Sequence, residues 1–222
     1  MQFRFAIASL LLACGLAPAA GPASAADLPL LFEEGFENGA HHWKPTDAAA
    51  WKIIESGKSG KAYSLFQQSK YKPPHRSPFN IALLDDMEVT EFRIEADVLS
   101  AAREYGHRSM VMVFGYQDPA HFYYVHFGKQ MDDHANQIFI VNDAPRIKIS
   151  KTTTSGTPWN DEWHQVKIER NPGTGDIKIF FDDMEKPTMT AVDKTFTWGK
   201  VGLGSFDDVG NWDNVKLWGA KK

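Results

Sequence analysis

His121-Phe122-Tyr123-Tyr124-Val125-His126-Phe127 and Gln137-Ile138-Phe139-Ile140-Val141-Asn142 are two runs of aromatic and β-branched residues, parted by the polar segment 128–134. Such residues pack well on a pleated surface, so the pattern predicts two strands joined by a long loop. Side chains alternate across a strand, which sets Phe122, Tyr124 and His126 on one face and Tyr123, Val125 and Phe127 on the other. Both faces are bulky, and one of them adds an imidazole beside a phenol where a solvated face would carry Lys, Glu or Thr. That composition points to a sheet surface that meets a ligand, and aromatic–polar faces suit sugars. A locally hydrogen-bonded His126 in the core or at its rim explains the imidazole equally well.

The rest of the chain follows the same rule. No long stretch has a helical period with caps. Short alternating runs are punctuated by Gly, Pro, Asn and Asp, as at Leu31 to Phe36, Glu91 to Leu99, Met110 to Tyr116, His164 to Glu169 and Gly199 to Ser205. The segment Asn171-Pro172-Gly173-Thr174-Gly175-Asp176 has hairpin-turn composition, and Ser56-Gly57-Lys58-Ser59-Gly60-Lys61 lacks phosphate-loop spacing and is expected to be a flexible turn. About a dozen strands without repeat or internal linker predict an all-β fold, a single antiparallel β-sandwich of two packed sheets.

Residues 1–25 are expected to be a signal peptide, with Arg4 as the positive start, Phe5 to Leu16 apolar, and Ala23-Ser24-Ala25 as the cleavage site. Residues 26–222 would then form the exported domain, periplasmic or secreted. Leu11-Leu12-Ala13-Cys14 also resembles a lipoprotein box, which would tether the chain through Cys14 instead. Nothing after the leader is long and apolar enough to span a membrane as a helix. Cys14 is the only cysteine, so the exported domain must be held by its core rather than by disulfides. With Lys+Arg 24 against Asp+Glu 28 the chain is mildly acidic, which argues against nucleic acid or an anionic membrane as partner.

The order of these pieces resembles the concanavalin A-like (laminin-G-like) jelly roll, and within it the domains of bacterial 3-keto-disaccharide hydrolases. The resemblance rests on Phe32-Glu33-Glu34-Gly35-Phe36-Glu37, Phe114-Gly115-Tyr116-Gln117-Asp118, Trp163-His164-Gln165-Val166 and Gly202-Leu203-Gly204-Ser205-Phe206-Asp207-Asp208. It implies a carbohydrate partner and an exported glycan-active protein. This sandwich hosts hydrolases, lyases and lectins alike, so activity must be argued from the site.

Two constellations invite chemistry. Glu91, Arg93, Glu95 and Asp97 share one strand face, but Arg93 would keep the glutamates ionised and deny an acid its proton, so the run reads as a solvated face. The second gathers Arg76, Tyr124, His126 and Arg146 as candidate catalytic groups, with His107, His134 and Gln137 as candidate substrate-binding groups. An imidazole or phenol can move a proton, and Arg or Gln can bind a carboxylate or an oxyanion. That equipment suits cleavage of a glycosidic bond by proton abstraction and elimination, on a 3-keto-glycoside or a uronic-acid glycan. The rival reading is a non-catalytic carbohydrate-binding module, which Trp159 on a loop would serve as an exposed ring. A third is an envelope domain that only contacts proteins. No organic cofactor is implied. A structural Ca2+ is expected at one rim, with Glu34 and Asp213 as ligands, helped by Asp207, Asp208 and Asn211.

Overall fold

Alternation of buried and exposed side chains governs the structure, a computed structural model that describes residues 28–222. The expected signal peptide and the Cys14 tether lie outside the described residues. Sixteen strands run in chain order: β1 (Leu30–Glu34), β2 (Trp43–Pro45), β3 (Trp51–Gly57), β4 (Gly60–Leu65), β5 (Asn80–Leu84), β6 (Val89–Ser100), β7 (Ser109–Asp118) and β8 (His121–Gly128). They continue with β9 (Gln137–Asn142), β10 (Ile147–Lys148), β11 (Ser150–Thr152), β12 (His164–Arg170), β13 (Asp176–Phe181), β14 (Met189–Val192), β15 (Lys200–Ser205) and β16 (Gly210–Lys221). Among the described residues, no helix is long and apolar enough to cross a membrane.

The strands form two antiparallel sheets. Sheet I has the order β11-β14-β13-β12-β6-β16-β4-β3, with β1 also paired to β16, and sheet II the order β10-β9-β8-β7-β15-β5-β2. The main core lies between them. Phe92, Ile94, Ala96 and Val98 of β6 and Val166 and Ile168 of β12 face Met112 and Phe114 of β7 and Tyr123, Val125 and Phe127 of β8. The opposite face of β6 carries the charges: Arg93 Nε lies 3.4 Å from Glu95 and its guanidinium 4.0 Å from the Trp218 ring, while Glu91 accepts from Asn171. The spacing predicts this charged face, but it is half-buried rather than solvated, and its Asp97 is buried.

Sheet II buries its outer face too. Ile81, Leu83, Val111, Val113, Phe122, Tyr124, Phe139 and Val141 form a second apolar cluster, each 9% exposed or less. Tyr116 packs against this cluster, and the segment 66–79 crosses the same side of the sheet between two anchors. Near its start the Lys70 amide donates to Asp47, just beyond β2. Further on, the Arg76 carbonyl accepts from the amide of Arg146, just before β10. These two anchors sit at opposite edges of sheet II. Ser69, Tyr71, Pro73 and His75 are buried or half-buried, while Lys70, Lys72, Pro74 and Arg76 are exposed, so the strap alternates as a strand does. Pro73-Pro74 fixes the extended backbone and removes two donors that no ladder would satisfy. Burying a Val, Leu, Ile or Phe side chain contributes roughly 1.5–3 kcal/mol, so this second cluster stabilises the fold substantially.

The expectation that the Phe122–Tyr124–His126 face is an open sugar surface is therefore corrected. Tyr124 is wholly buried, and only the His126 end of the face borders a cleft.

The expected calcium ligands have other work. Glu34 accepts from the amide of Phe36, capping a turn whose φ of 60° drives the Phe36 ring into the core. A bulge at Asn214 (φ 48°) turns Asp213 inward directly after the buried Trp212. Its carboxylate accepts from the amides of Lys58, Ser59 and Asn214, at 2.9, 3.2 and 2.7 Å. Asp97, its cross-strand partner, takes the Lys58 ammonium at 2.8 Å, so the cation beside this carboxylate pair is a lysine. Asp208 is occupied by Tyr105 and Ser109. Among the described residues, no three His, Cys, Asp or Glu side chains are placed to hold an ion. Within 56–61 only Lys58-Ser59 forms a turn, a tight one between β3 and β4, and its amides clamp Asp213.

Candidate functional site

Where the strap ends, four loops and the end of β8 enclose a cleft of about 180 Å3. Arg76 comes from the strap, Arg146 from the β9–β10 turn, and His107 from the β6–β7 loop. Asp132, His134 and Ala135 come from the β8–β9 loop, Phe206 and Asp207 follow β15, and His126 lies at the floor. The structure thus brings together Arg76, His107, His126, His134 and Arg146, five of the residues singled out from sequence. Tyr124, Gln137 and Trp159 are not among its lining residues.

His126 is 6% exposed, and its ring stacks on Phe206 at 5.8 Å with an interplanar angle of 12°. The His134 carbonyl lies 2.9 Å from Nδ1, so Nδ1 carries the hydrogen and Nε2 holds a lone pair. That Nε2 is buried and has no partner among the described residues. Burial, reinforced by the nearby Arg146 charge, pushes the imidazole down to about 3. A base so weak is poorly matched to proton abstraction near neutral pH. What His126 does is hold the β8–β9 loop, together with Gln137, whose Nε2 donates to the Asp132 carbonyl at 3.0 Å. Both residues position the loop, and His126 also forms the floor of the cleft.

Tyr124 does not reach the cleft. Its ring stacks on Phe139 at 5.0 Å, and its oxygen accepts from Arg146 Nη1 at 2.8 Å. Burial pushes the phenol well above its usual value despite the adjacent guanidinium. The expected Tyr124–His126 proton-transfer pair is thus a buried phenol beside a weakly basic imidazole. Exposed His107 and His134 remain as the imidazoles able to meet a bound molecule.

Trp159 is also corrected. It is 3% exposed, its indole N–H donates to the Phe127 carbonyl at 2.7 Å, and its ring packs edge-on against His164 and Phe181. The loop that carries it folds back into the core because the indole can be fully satisfied there. Large exposed apolar side chains among the described residues are Leu30, Phe66, Met131, Ile147 and Val192, so no exposed tryptophan or tyrosine platform is present among them.

The His126 environment predicts a pH signature. An exposed imidazole titrates near 6.5, so on acidification the unfolded chain takes up the proton first. Stability from the neutral ring is full above about 6.5 and is lost progressively as the pH falls toward about 3. Urea unfolding of the wild type should therefore weaken across that window. His126→Gln should remove most of the slope; an unchanged slope would place its origin elsewhere.

No family model matches the chain, and neither does any curated protein. Solved structures do match in fold. The carbohydrate-binding module CBM66 from Bacillus subtilis superposes with a TM-score of 0.56 at 18% identity, over 80% of this chain and 95% of that one. Peanut lectin gives 0.53 at 13% identity, over 86% and 97% of the two chains. A xylan β-1,4-xylosidase from Bacillus halodurans gives 0.55 at 13% identity, over 84% of this chain and 38% of that one. The narrower resemblance to 3-keto-disaccharide hydrolase-type domains rests on the sequence motifs alone. Two antiparallel sheets in this order, matched over most of their length by lectin and carbohydrate-module sandwiches, show that the chain has the concanavalin A-like jelly-roll fold.

Proposed function

We propose that this is an exported glycan-binding protein whose site is the cleft between the strap and the β8–β9 loop. The observation that carries this reading is the convergence of Arg76, His107, His134, Arg146 and Asp207, from separate loops, on one depression of a lectin-type sandwich. Cationic, imidazole and carboxylate groups at that spacing can donate to and accept from vicinal hydroxyls. At about 180 Å3 the cleft is smaller than the roughly 300–1,000 Å3 of enclosed ligand pockets. It suits one sugar unit or a chain end. Matched sandwiches named as a lectin and a carbohydrate-binding module support the reading by analogy of fold.

Elimination chemistry stays as the second reading, in altered form. Its base would be the exposed His107 or His134, with Arg76 or Arg146 stabilising the enolate oxygen. A calorimetric panel of neutral and acidic oligosaccharides tests both readings. Binding without unsaturated product, abolished by Arg76→Ala with His107→Ala, is the expected result. Absorbance of an unsaturated product would favour elimination, and no binding across the panel would remove the glycan reading.

A further inference from the structure

Arg146 lacks the acceptors that surround the buried Arg108 and Arg170. Among the described residues Arg170 also has no carboxylate within 4.0 Å, but it donates to the backbone carbonyls of Asn171, Asp176, Asp193 and Phe196. The Arg146 guanidinium lies 4.7 Å from the centre of the Phe139 ring and 4.3 Å from that of Phe206, held by two aromatic faces. Nη1 donates to Tyr124, while Nε is buried with no acceptor, and among the described residues no carboxylate lies within 4.0 Å. Arg108, by contrast, has Glu104 and Asp161 beside it, and Lys58 has Asp97. A half-buried guanidinium without a counter-charge is costly to fold around. Arg76 lines the same cleft and, among the described residues, is equally without a carboxylate partner, its guanidinium 6.0 Å from the centre of the Phe206 ring. Two carboxylates border the cleft. Asp132 accepts from the amide of His134, and Asp207 lies on an exposed position beyond ion-pair distance of either arginine.

We infer that the cleft selects a carboxylate-bearing sugar, a uronic-acid unit, with Arg146 as the fixed donor and Arg76 as the mobile one. This rests on the reading of the cleft as a glycan site and names its ligand class. The planar guanidinium presents parallel N–H groups that match a carboxylate, and stacking pre-orients the fork. Asp207 is left to accept from a hydroxyl of the same sugar.

The probe is tetragalacturonate, compared by calorimetry with its fully methyl-esterified form, which keeps the shape and removes the charge. Acid should bind at least about tenfold tighter than ester, the scale of one charge-assisted contact. Arg146→Gln should erase that preference, and Arg76→Gln should reduce it. Arg76 is exposed, so its variant keeps the test open should Arg146→Gln fail to fold. Equal binding of acid and ester would overturn the inference, as would Arg76→Gln and a folded Arg146→Gln both retaining the preference. Binding of neutral oligosaccharides alone would overturn it while leaving the glycan site standing. No binding of any oligosaccharide would end both.

Discussion

Trp159→Ala should lower the stability of the protein by about 3–5 kcal/mol, the range for emptying a large aromatic site in a core. The indole is 3% exposed, packs against His164 and Phe181, and satisfies the Phe127 carbonyl at the end of β8. Removing it opens a cavity and orphans a buried acceptor at the same time. In a domain of this size the melting temperature should fall on the order of 10 °C. A variant that melts like the wild type but loses glycan affinity would instead make Trp159 a binding ring. Chemical denaturation and calorimetric titration of one preparation separate the two outcomes.

Asp213→Ala should be the second severe change. Three amides, those of Lys58, Ser59 and Asn214, lose their acceptor, and the β3–β4 turn loses its anchor to β16. Each buried donor left unpaired costs about 1–3 kcal/mol, less where water enters, so a total loss of about 2–4 kcal/mol is expected. Asp213→Asn, which retains one acceptor oxygen, should cost less. The same melts with calcium and with chelator test the expectation of a structural ion. With Lys58 supplying the cation beside Asp97 and amides filling Asp213, the melting temperature should not move. An upward shift with calcium concentration would restore the ion by mass action.

Strand alternation made most of the fold legible in the sequence. The β6 face assignment, the β8 and β9 strands and the 171–176 hairpin all follow from residues two apart or from turn chemistry. In that hairpin Gly175 adopts a φ of 88° and its amide closes on the Asn171 carbonyl. The β2 and β14 strands escaped because they are short and, in β2, end on a proline. Of the site, the membership of the cleft was legible because Arg76, His107, His126, His134 and Arg146 are polar groups in or beside loops. Their depth was not. Period-two reasoning separates two faces of a strand but does not say which is covered, and the strap that crosses this side of sheet II comes from a segment some fifty residues away in sequence. Its signal was the Pro73-Pro74 pair inside an alternating stretch, too long to be a turn. The inward Asp213 depends on a backbone bulge, and the buried Trp159 on a carbonyl contributed by another strand. Neither is a property of the local sequence.

Glycan entering the cleft at the end of the strap has a direct signature, the set of residues that a bound oligosaccharide perturbs. Backbone and side-chain NMR spectra of the domain during an oligosaccharide titration resolve this residue by residue. Shifts should concentrate at Arg76, His107, the 132–135 segment, Arg146 and Asp207, with the face bearing Arg93, Glu95 and Trp218 silent. Shifts centred on that charged outer face of sheet I, with the cleft unmoved, would contradict the account.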